Sequence, residues 1–464
     1  MAYDVAVVGS GFSAIAVTVN LLRLLPAHCS IAVVGDDPGF GRGTAYRTEF
    51  YLHRLNVAAG RMSIFPDAPD DFVEWLRRQG RTVSADDFAS RGDYGLYLRD
   101  TLAALLRARD GRAKLEFVKA KATGCVERYK VGTVFQLDNA AELIARNVVL
   151  CLGVGNARLP LPEEAVAAPA WPHIVKNPWK LSWLSKVQPR DEICILGSGL
   201  TMIDQVLALR VRGHRGPIHV LSRRGLIPHA HQAHRASVTP LLPEGTRKIS
   251  AVLCALRRQS RDGADWRTVM DGLRPKTQAL WQELTMEQRA RFLRHALPWW
   301  NIHRHRISPA VSERFNALID NGTVIIHAGF LKSIDHAAEG AEIVYRRRGG
   351  DERQSFHADW IVNCTGMERA GIGHSPLLKE MQQRGMIKAD KLGLGISVDD
   401  QARVLDVDSN VQPGMFAVGA LTAGQFWEIT AVPDIRIQAK NVAEAISDHA
   451  QQGSRSVTGS YLLK

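Results

Sequence analysis

The sequence predicts an α/β fold of two similar units, each a parallel sheet interleaved with helices, and a helical insertion in the second. Three observations carry this expectation. The stretch VAVVGSGFSA (residues 5–14) runs from an apolar strand through a Gly-x-Gly turn into a helix, and ILGSGLTMID (195–204) repeats that design. Apolar runs such as Ile31–Val34, 146–153 and 360–366 lack polar alternation, the pattern of strands buried on both faces. Residues 236–310 read mostly as helix and carry little of that strand–turn–helix character.

Composition sets the frame. A chain of 464 residues is long enough for about two or three domains with substantial cores. Hydrophobic content of 45% with 23% charged residues is that of a folded globular protein rather than a disordered one. Lys+Arg (59) exceed Asp+Glu (47), giving +12, which favours anionic ligands. The basic residues are scattered in short clusters, Arg257-Arg258 and Arg346-Arg347-Arg348 among them. This suits a solvated basic surface better than a nucleic-acid face. Six cysteines lie far apart with no C-x-x-C, so the expectation is a reduced cytoplasmic protein without dithiol chemistry. The uncharged run from Val5 to Leu22 contains the glycine turn and has no basic leader or cleavage site, so it reads as strand plus buried helix, not as a membrane span.

Taken in order, strand Val5–Val8 feeds the turn Gly9-x-Gly11-x-x-Ala14 and a helix to about Leu25. Gly9 allows the tight turn, Gly11 lets a pyrophosphate approach the backbone, and Ala14 permits close helix–strand packing. The helix start offers free N–H groups and the positive end of its dipole. Strand Ile31–Val34 ends in Gly35-Asp36-Asp37, which makes Asp36 the candidate for a ribose 2′-hydroxyl, one step late. A helical segment is expected from about Asp70 to Arg109, then short strands leading to 146–153. The Pro- and Trp-rich stretch Leu159–Leu184 reads as a domain crossing. The second unit spans Ile193–Ser222, with Gly197-x-Gly199-x-x-Met202 as its turn. Its second strand ends in Ser222-Arg223-Arg224, two guanidiniums and a hydroxyl that suit a 2′-phosphate, hence NADPH rather than NADH. Strands resume at 323–329, 342–348 and 360–366. A last strand at 414–420 precedes a helix from about Pro433 to Ala450.

In the order of these features the chain resembles flavoproteins with two dinucleotide domains, which include flavin-containing and N-hydroxylating monooxygenases. More closely it is similar to the YdhS-like FAD/NAD(P)-binding family. The blocks that carry the resemblance are GRGTAY (41–46), LNVAAGRMS (55–63), FPDAPDDFVEWL (65–76), YGLYL (94–98), GSGLTMID, GHRGPIHVLSRRGLIPHAH (213–231), WWNIHRHRISP (299–309) and FWEITAVPDIR (426–436), nearly the whole chain in order. One departure is Gly35, where such proteins often carry an acidic residue.

The resemblance implies two Rossmann-like dinucleotide-binding domains. FAD would occupy a discontinuous one, 1–170 plus 340–464, and NADP(H) a second, 171–339, carrying the insertion 236–310. The FAD-facing candidates are then Gly9, Gly11, Phe12, Ser13, Ala14, Asp36, Asn56, Met62, Gly153, Gly419, Asp434 and Ile435. Those for NADP are Gly197, Gly199, Leu200, Thr201, Ser222, Arg223 and Arg224. Pro433 at the first helical position, after the poor cap Val432, leaves N–H groups that suit a flavin carbonyl. Asn56, His303, Arg306 and Trp427 are the catalytic candidates. His303–Arg306 would form a cationic wall or a structural hydrogen-bonding block, His229, His231 and His234 would line the same cleft, and Trp427 with Glu428 would shape a pocket or simply pack. Two histidines without carboxylates or cysteines nearby do not make a metal site. With no Ser-His-Asp or Cys-His pairing and no Walker loop, the chemistry falls to cofactors. The activity the resemblance implies is an FAD-dependent, NADPH-consuming monooxygenase. It would use O2 and a flavin C4a-hydroperoxide to N-hydroxylate a small amine or amino acid, a thioether being the other substrate class, with neither nucleic acid nor membrane as partner. A reductase or oxidase serving another acceptor, and a nucleotide-sensing protein, are the rival readings.

Overall fold

The computed structural model describes residues 2–459 apart from 38–39, 109–110, 129–131, 154, 156–157, 233–236, 244, 246–247 and 367–371. The chain opens with β1 (Ala2–Val8), α1 (Phe12–Leu24) and β2 (Ser30–Val34). The one-turn α2 (Gly43–Tyr46), α3 (Asp71–Arg78) and α4 (Arg91–Arg107) follow. The expected single helix over 70–109 is therefore two. Gly80, at φ +71°, ends α3 in a Schellman closure, its amide bonding Arg77 O (2.9 Å) and that of Arg81 bonding Leu76 O (3.0 Å). Ser90 then caps α4 by accepting from the Gly92 amide.

Next come β3 (Lys114–Val118), β4 (Ala122–Arg128), β5 (Gly132–Leu137), β6 (Glu142–Leu150) and the two-residue β7 (Ile174–Val175). The second strand–helix–strand unit is β8 (Ile193–Leu196), α5 (Leu200–Val211) and β9 (Ile218–Ser222). The insertion folds as α6 (Ile249–Arg261), α7 (Trp266–Leu273), α8 (Thr277–Glu283), α9 (Met286–His295) and α10 (Leu297–Arg304). The rest is α11 (Pro309–Asp320), β10 (Val324–His336), β11 (Ala341–Arg347), β12 (Arg353–Ala358), β13 (Trp360–Asn363), α12 (Pro376–Gln383), β14 (Arg403–Leu405), β15 (Val411–Ala417) and α13 (Val432–Gly459).

The first sheet runs β14-β15-β6-β1-β2-β3, with β6 shared. Its early residues take β5 in antiparallel pairing, and Val148–Leu150 take β15 in parallel. In β1, Val5 and Val7 pack toward α1, α4 and α13, while Ala6 and Val8 face the cluster of Phe135, Leu377 and Met381. Period-2 alternation therefore operates although both faces are apolar, which is why the strand reads as an unbroken run.

The second sheet runs β12-β11-β10-β9-β8-β13-β7. It thus keeps residues 341–363, which the sequence reading placed in the first unit after a return at 340. β11 and β12 extend it in antiparallel pairing, and β13 pairs in parallel with β8. β10 runs on to His336, beyond the expected 329, because it pairs with β9 through Ala328 and with β11 from Gly329 onward.

Candidate functional site

The two glycine turns are built on the same plan. In the first, the Gly9 amide donates to Val34 O at 2.8 Å. In the second, the Gly197 amide donates to Leu221 O at 2.8 Å. Gly9 sits at φ +135° and Gly197 at +100°. A Cβ on either would overlap the carbonyl of a cysteine on the neighbouring strand's exit, 2.7 Å from the carbonyl carbon of Cys151 and of Cys364 respectively. Only glycine fits there. Gly11 (φ −92°, ψ −167°) and Gly199 (φ −88°, ψ −166°) are the N-caps of α1 and α5. Neither helix has a side-chain cap, and nothing lies within 4 Å of a Cβ built on either glycine. Each turn thus presents uncapped helix amides to open space, the arrangement that receives a phosphate.

Around the first turn, Gly41 donates to Ser10 O (2.9 Å), and Gly43 approaches Gly11 so closely that its Cβ would lie 3.3 Å from the Gly11 Cα. Phe12 packs against Tyr46 and Tyr94. From the far end of the chain, Gly419 lies against Ser13. Its amide donates to Gln438 Oε1 (2.8 Å), and Gln438 Nε2 donates to Thr422 Oγ1 (3.0 Å), tying α13 to this loop. α13 begins at Val432, one residue earlier than expected, so Pro433 is its second residue. Asp434 in that first turn accepts from Arg274 Nη2 (3.2 Å). Asp36 is exposed at the end of β2 and pairs with Lys121 at 3.0 Å. The structure accounts for the late carboxylate: a Cβ at position 35 would come within 2.7 Å of the Ser10 Cβ, so that position holds no side chain. Gly153 lies open at φ +66°. Ala14 and Ile435 are buried in the core, and so is Met62, at 2% exposure with its amide bonded to Ala59 O. The Met62 side chain is therefore a core residue, with no surface to offer a cofactor.

In the second unit, Ser222 is already engaged. The Ser198 hydroxyl donates to Leu226 O (2.5 Å) and shares a hydrogen bond with the Ser222 hydroxyl (2.9 Å), and the Gly225 amide donates to Ser222 Oγ (3.0 Å). Arg223 is exposed and Arg224 half-buried. Met202, where a small residue is usual, is fully buried among Ile193, Ile195 and Val206.

A small pocket where the two units meet is lined by Arg54, Asn56 and Arg91 on one side and Leu200, Asp204 and Ser308 on the other. Its back wall is a buried ion pair, Arg91 Nη1 to Asp204 Oδ2 at 2.7 Å, with side chains 12% and 8% exposed. His53, fully buried, donates from Nε2 to Asp204 O (3.0 Å), and its Nδ1 lies 2.7 Å from Thr48 Oγ1. Burial lowers its pKa, so the neutral ring fits this pattern. The Ser308 hydroxyl, buried, has no hydrogen-bond partner among the described residues. His231 Nε2 donates to Asn56 O (3.0 Å), so the backbone of Asn56 is held across the units. Burial, then Arg306, lowers the His231 pKa to about 4.

The insertion docks on the loop before α13. Glu428, in the loop before α13, is the hub: it accepts from Trp300 Nε1 (2.8 Å) and Arg304 Nε (2.9 Å), and His305 Nε2 lies 3.7 Å away. Glu428 holds φ +64°, a conformation that costs a non-glycine residue on the order of 1–3 kcal/mol. His305 keeps 34% of its side chain exposed, and desolvation lowers its pKa. Three catalytic candidates belong to packing instead. Arg306 is 3% exposed, ion-paired with Asp271 and laid over Trp266. His303 stacks edge-on with Trp266 and His229 and bonds Trp299 O (2.8 Å). Trp427 stacks on Trp281 (4.5 Å, 19°) and abuts Phe292, fastening the insertion to the loop before α13. His234 lies outside the described residues. Sequence reading missed Arg91, Asp204 and Arg274, whose partners are distant in sequence.

This geometry defines a two-unit dinucleotide-binding fold, and residues 6–155 match a family model described as FAD-NAD(P)-binding. Over 96% of its length the chain is 22% identical to an uncharacterised protein of Mycobacterium tuberculosis, covering 95% of that protein. Among solved structures it is similar to the reduced form of an ornithine hydroxylase from Pseudomonas aeruginosa (TM-score 0.66, 15% identity, 97% of this chain and 100% of that one). It is also similar to an ornithine N-hydroxylase of Kutzneria sp. 744 described with reduced FAD, NADP+ and L-ornithine (TM-score 0.64, 14% identity, 97% and 100%). At these identities the likeness is one of fold.

Proposed function

We propose that the chain is an FAD-dependent, NADPH-consuming monooxygenase that N-hydroxylates a small amine or amino acid. The observation that carries the reading is the pair of matched, uncapped glycine turns, one per unit, joined across a small pocket by the Arg91–Asp204 pair. The residues present fit two dinucleotides. Space stands open over Gly11 and Gly199, and the buried Arg436 Nε and Tyr94 hydroxyl have no partner among the described residues.

In this reading the α1 amides and Gly11 hold the FAD pyrophosphate, and Asp36 exchanges Lys121 for the ribose. The loop at Gly419 and the start of α13, Asp434 and Ile435 included, hold the flavin end. Gly199, Leu200 and Thr201 seat NADPH, with Arg223 and Arg224 on its 2′-phosphate. Bound FAD supplies hydride acceptance and reaction with O2. The protein's own part is to orient both cofactors and exclude water. His305, its charged form disfavoured by desolvation and its Nε2 3.7 Å from Glu428, is the proton acceptor in this reading. The wide similarity in length and fold to ornithine hydroxylases, together with the YdhS-like resemblance, favours an amine or amino acid as substrate.

Cys151, Cys194 and Cys364 are buried, and desolvation pushes each thiol pKa up. The test is coupling. FAD-loaded protein given NADPH, O2 and a panel of ornithine, lysine and simple amines should yield hydroxylamine in step with NADPH consumed. NADPH consumption that gives only hydrogen peroxide, whatever the amine, would establish the oxidase reading instead.

A further inference from the structure

The carboxyl edge of the second sheet carries more positive charge than the Ser222-Arg223-Arg224 stretch. β10 pairs with β9 as far as Ala328 opposite Ser222 and with β11 from Gly329 onward, so the end of β11 lies beside the end of β9. The chain leaving β11 returns to this edge. The Arg348 amide donates to Ala328 O at 2.9 Å, and Arg348 Nη1 donates to the carbonyl of Arg223 at 3.3 Å. Ser198, inside the glycine turn, shares a hydrogen bond with Ser222, so the glycine turn, the end of β9 and the turn after β11 are tied together. Among the described residues, Arg223, Arg224 and Arg348 pair with no carboxylate. Their neighbour Arg346 differs, lying 3.5 Å from Asp351 and over the Phe330 ring at 4.9 Å. Three arginines without a carboxylate partner thus stand at one strand end, Arg223 and Arg224 by sequence and Arg348 through its bond to the Arg223 carbonyl, and a multiply charged anion is what such a concentration of positive charge favours.

Resting on the NADPH reading above, we infer that Arg348 is a specificity-determining residue, the third guanidinium of a 2′-phosphate site whose base is the end of β9 and whose rim is the turn between β11 and β12. Its weak bond to the Arg223 carbonyl orients the side chain across the strand end while leaving further N–H groups for the phosphate. A nucleotide lacking that phosphate gains nothing from it.

The test measures binding of 2′,5′-ADP and of 5′-AMP to FAD-loaded wild type, Arg348→Ala, Arg348→Lys and Arg224→Ala by calorimetry. Anaerobic flavin reduction by NADPH and NADH is followed in parallel. Arg348→Ala should weaken 2′,5′-ADP and NADPH about tenfold or more and leave 5′-AMP and NADH unchanged, with Arg348→Lys recovering part of the loss. If wild type prefers 2′,5′-ADP, Arg224→Ala lowers that preference and Arg348→Ala does not, this inference fails while the NADPH reading stands. Equal weakening of both nucleotides also overturns it, since that marks a hairpin defect. A wild type indifferent to the phosphate overturns both.

Discussion

Substituting the two glycines of the second turn separates folding from binding. Gly197→Ala places a side chain at φ +100°, with its Cβ overlapping the Cys364 carbonyl and 3.0 Å from the Thr365 Cα. Backbone strain and overpacking against main chain that cannot rotate away together cost about 2–5 kcal/mol. Gly199→Ala is a different case. Its φ of −88° suits any residue, and no atom lies within 4 Å of the added methyl, so the fold loses no more than about 1 kcal/mol at the cap. That open space is where a pyrophosphate must reach the α5 amides. Losing one charge-assisted hydrogen bond there, about 1.5–3 kcal/mol, weakens NADPH roughly 10- to 150-fold. The assay pairs urea unfolding and flavin content with anaerobic NADPH titration of each FAD-loaded variant. Gly197→Ala should unfold early. Gly199→Ala should unfold like wild type, keep its flavin and lose NADPH affinity. The reasoning is refuted if Gly199→Ala is as unstable as Gly197→Ala, or if it binds NADPH normally.

Other consequences can be measured directly. Arg91→Met leaves the Asp204 carboxylate buried without its cation and should destabilise the protein by about 3–5 kcal/mol in denaturant unfolding, more than Arg212→Met at the exposed pair with Glu49. His231 and His327 have pKa values lowered by burial from 6.5 to about 4, so the unfolded chain binds protons that the folded one refuses. Stability should hold above pH 6.5 and fall as pH drops toward 4, and His327→Gln should flatten that slope. Of the six thiols only Cys254 is exposed, so native protein should label at one cysteine, and Cys254→Ser should remove the signal without changing flavin content.

How much of this was legible in the sequence depends on how local each cause is. Gly9, Gly11, Gly197 and Gly199 were readable because tight turn and ligand approach are written within a few residues of each strand. Gly80 was an equally local signal, and its left-handed stop is what splits the expected helix. The boundary at 340 was not readable. β11 and β12 alternate in a way that suits either sheet, and only their pairing with β10 assigns them. Arg306 and Trp427 stayed open between pocket and packing because a guanidinium or indole looks the same in sequence in either place. Asp271 and Trp281, which engage them, stand far away in sequence. Glu428 was noticed beside Trp427, but its hub role rests on Trp300 and Arg304 from another segment. Asp204 reads as one polar residue on an apolar helix until Arg91 meets it.

The central claim is that one chain holds a flavin on the first turn and a nicotinamide on the second, close enough to exchange hydride. Anaerobic stopped-flow reduction of the FAD-loaded protein tests it most directly. NADPH should bleach the flavin absorbance rapidly and NADH slowly, with Gly199→Ala slowing the NADPH reaction at limiting nucleotide and Arg223→Ala with Arg224→Ala narrowing the difference. Protein that takes up no FAD, or bound flavin that NADPH leaves oxidised, would contradict the account.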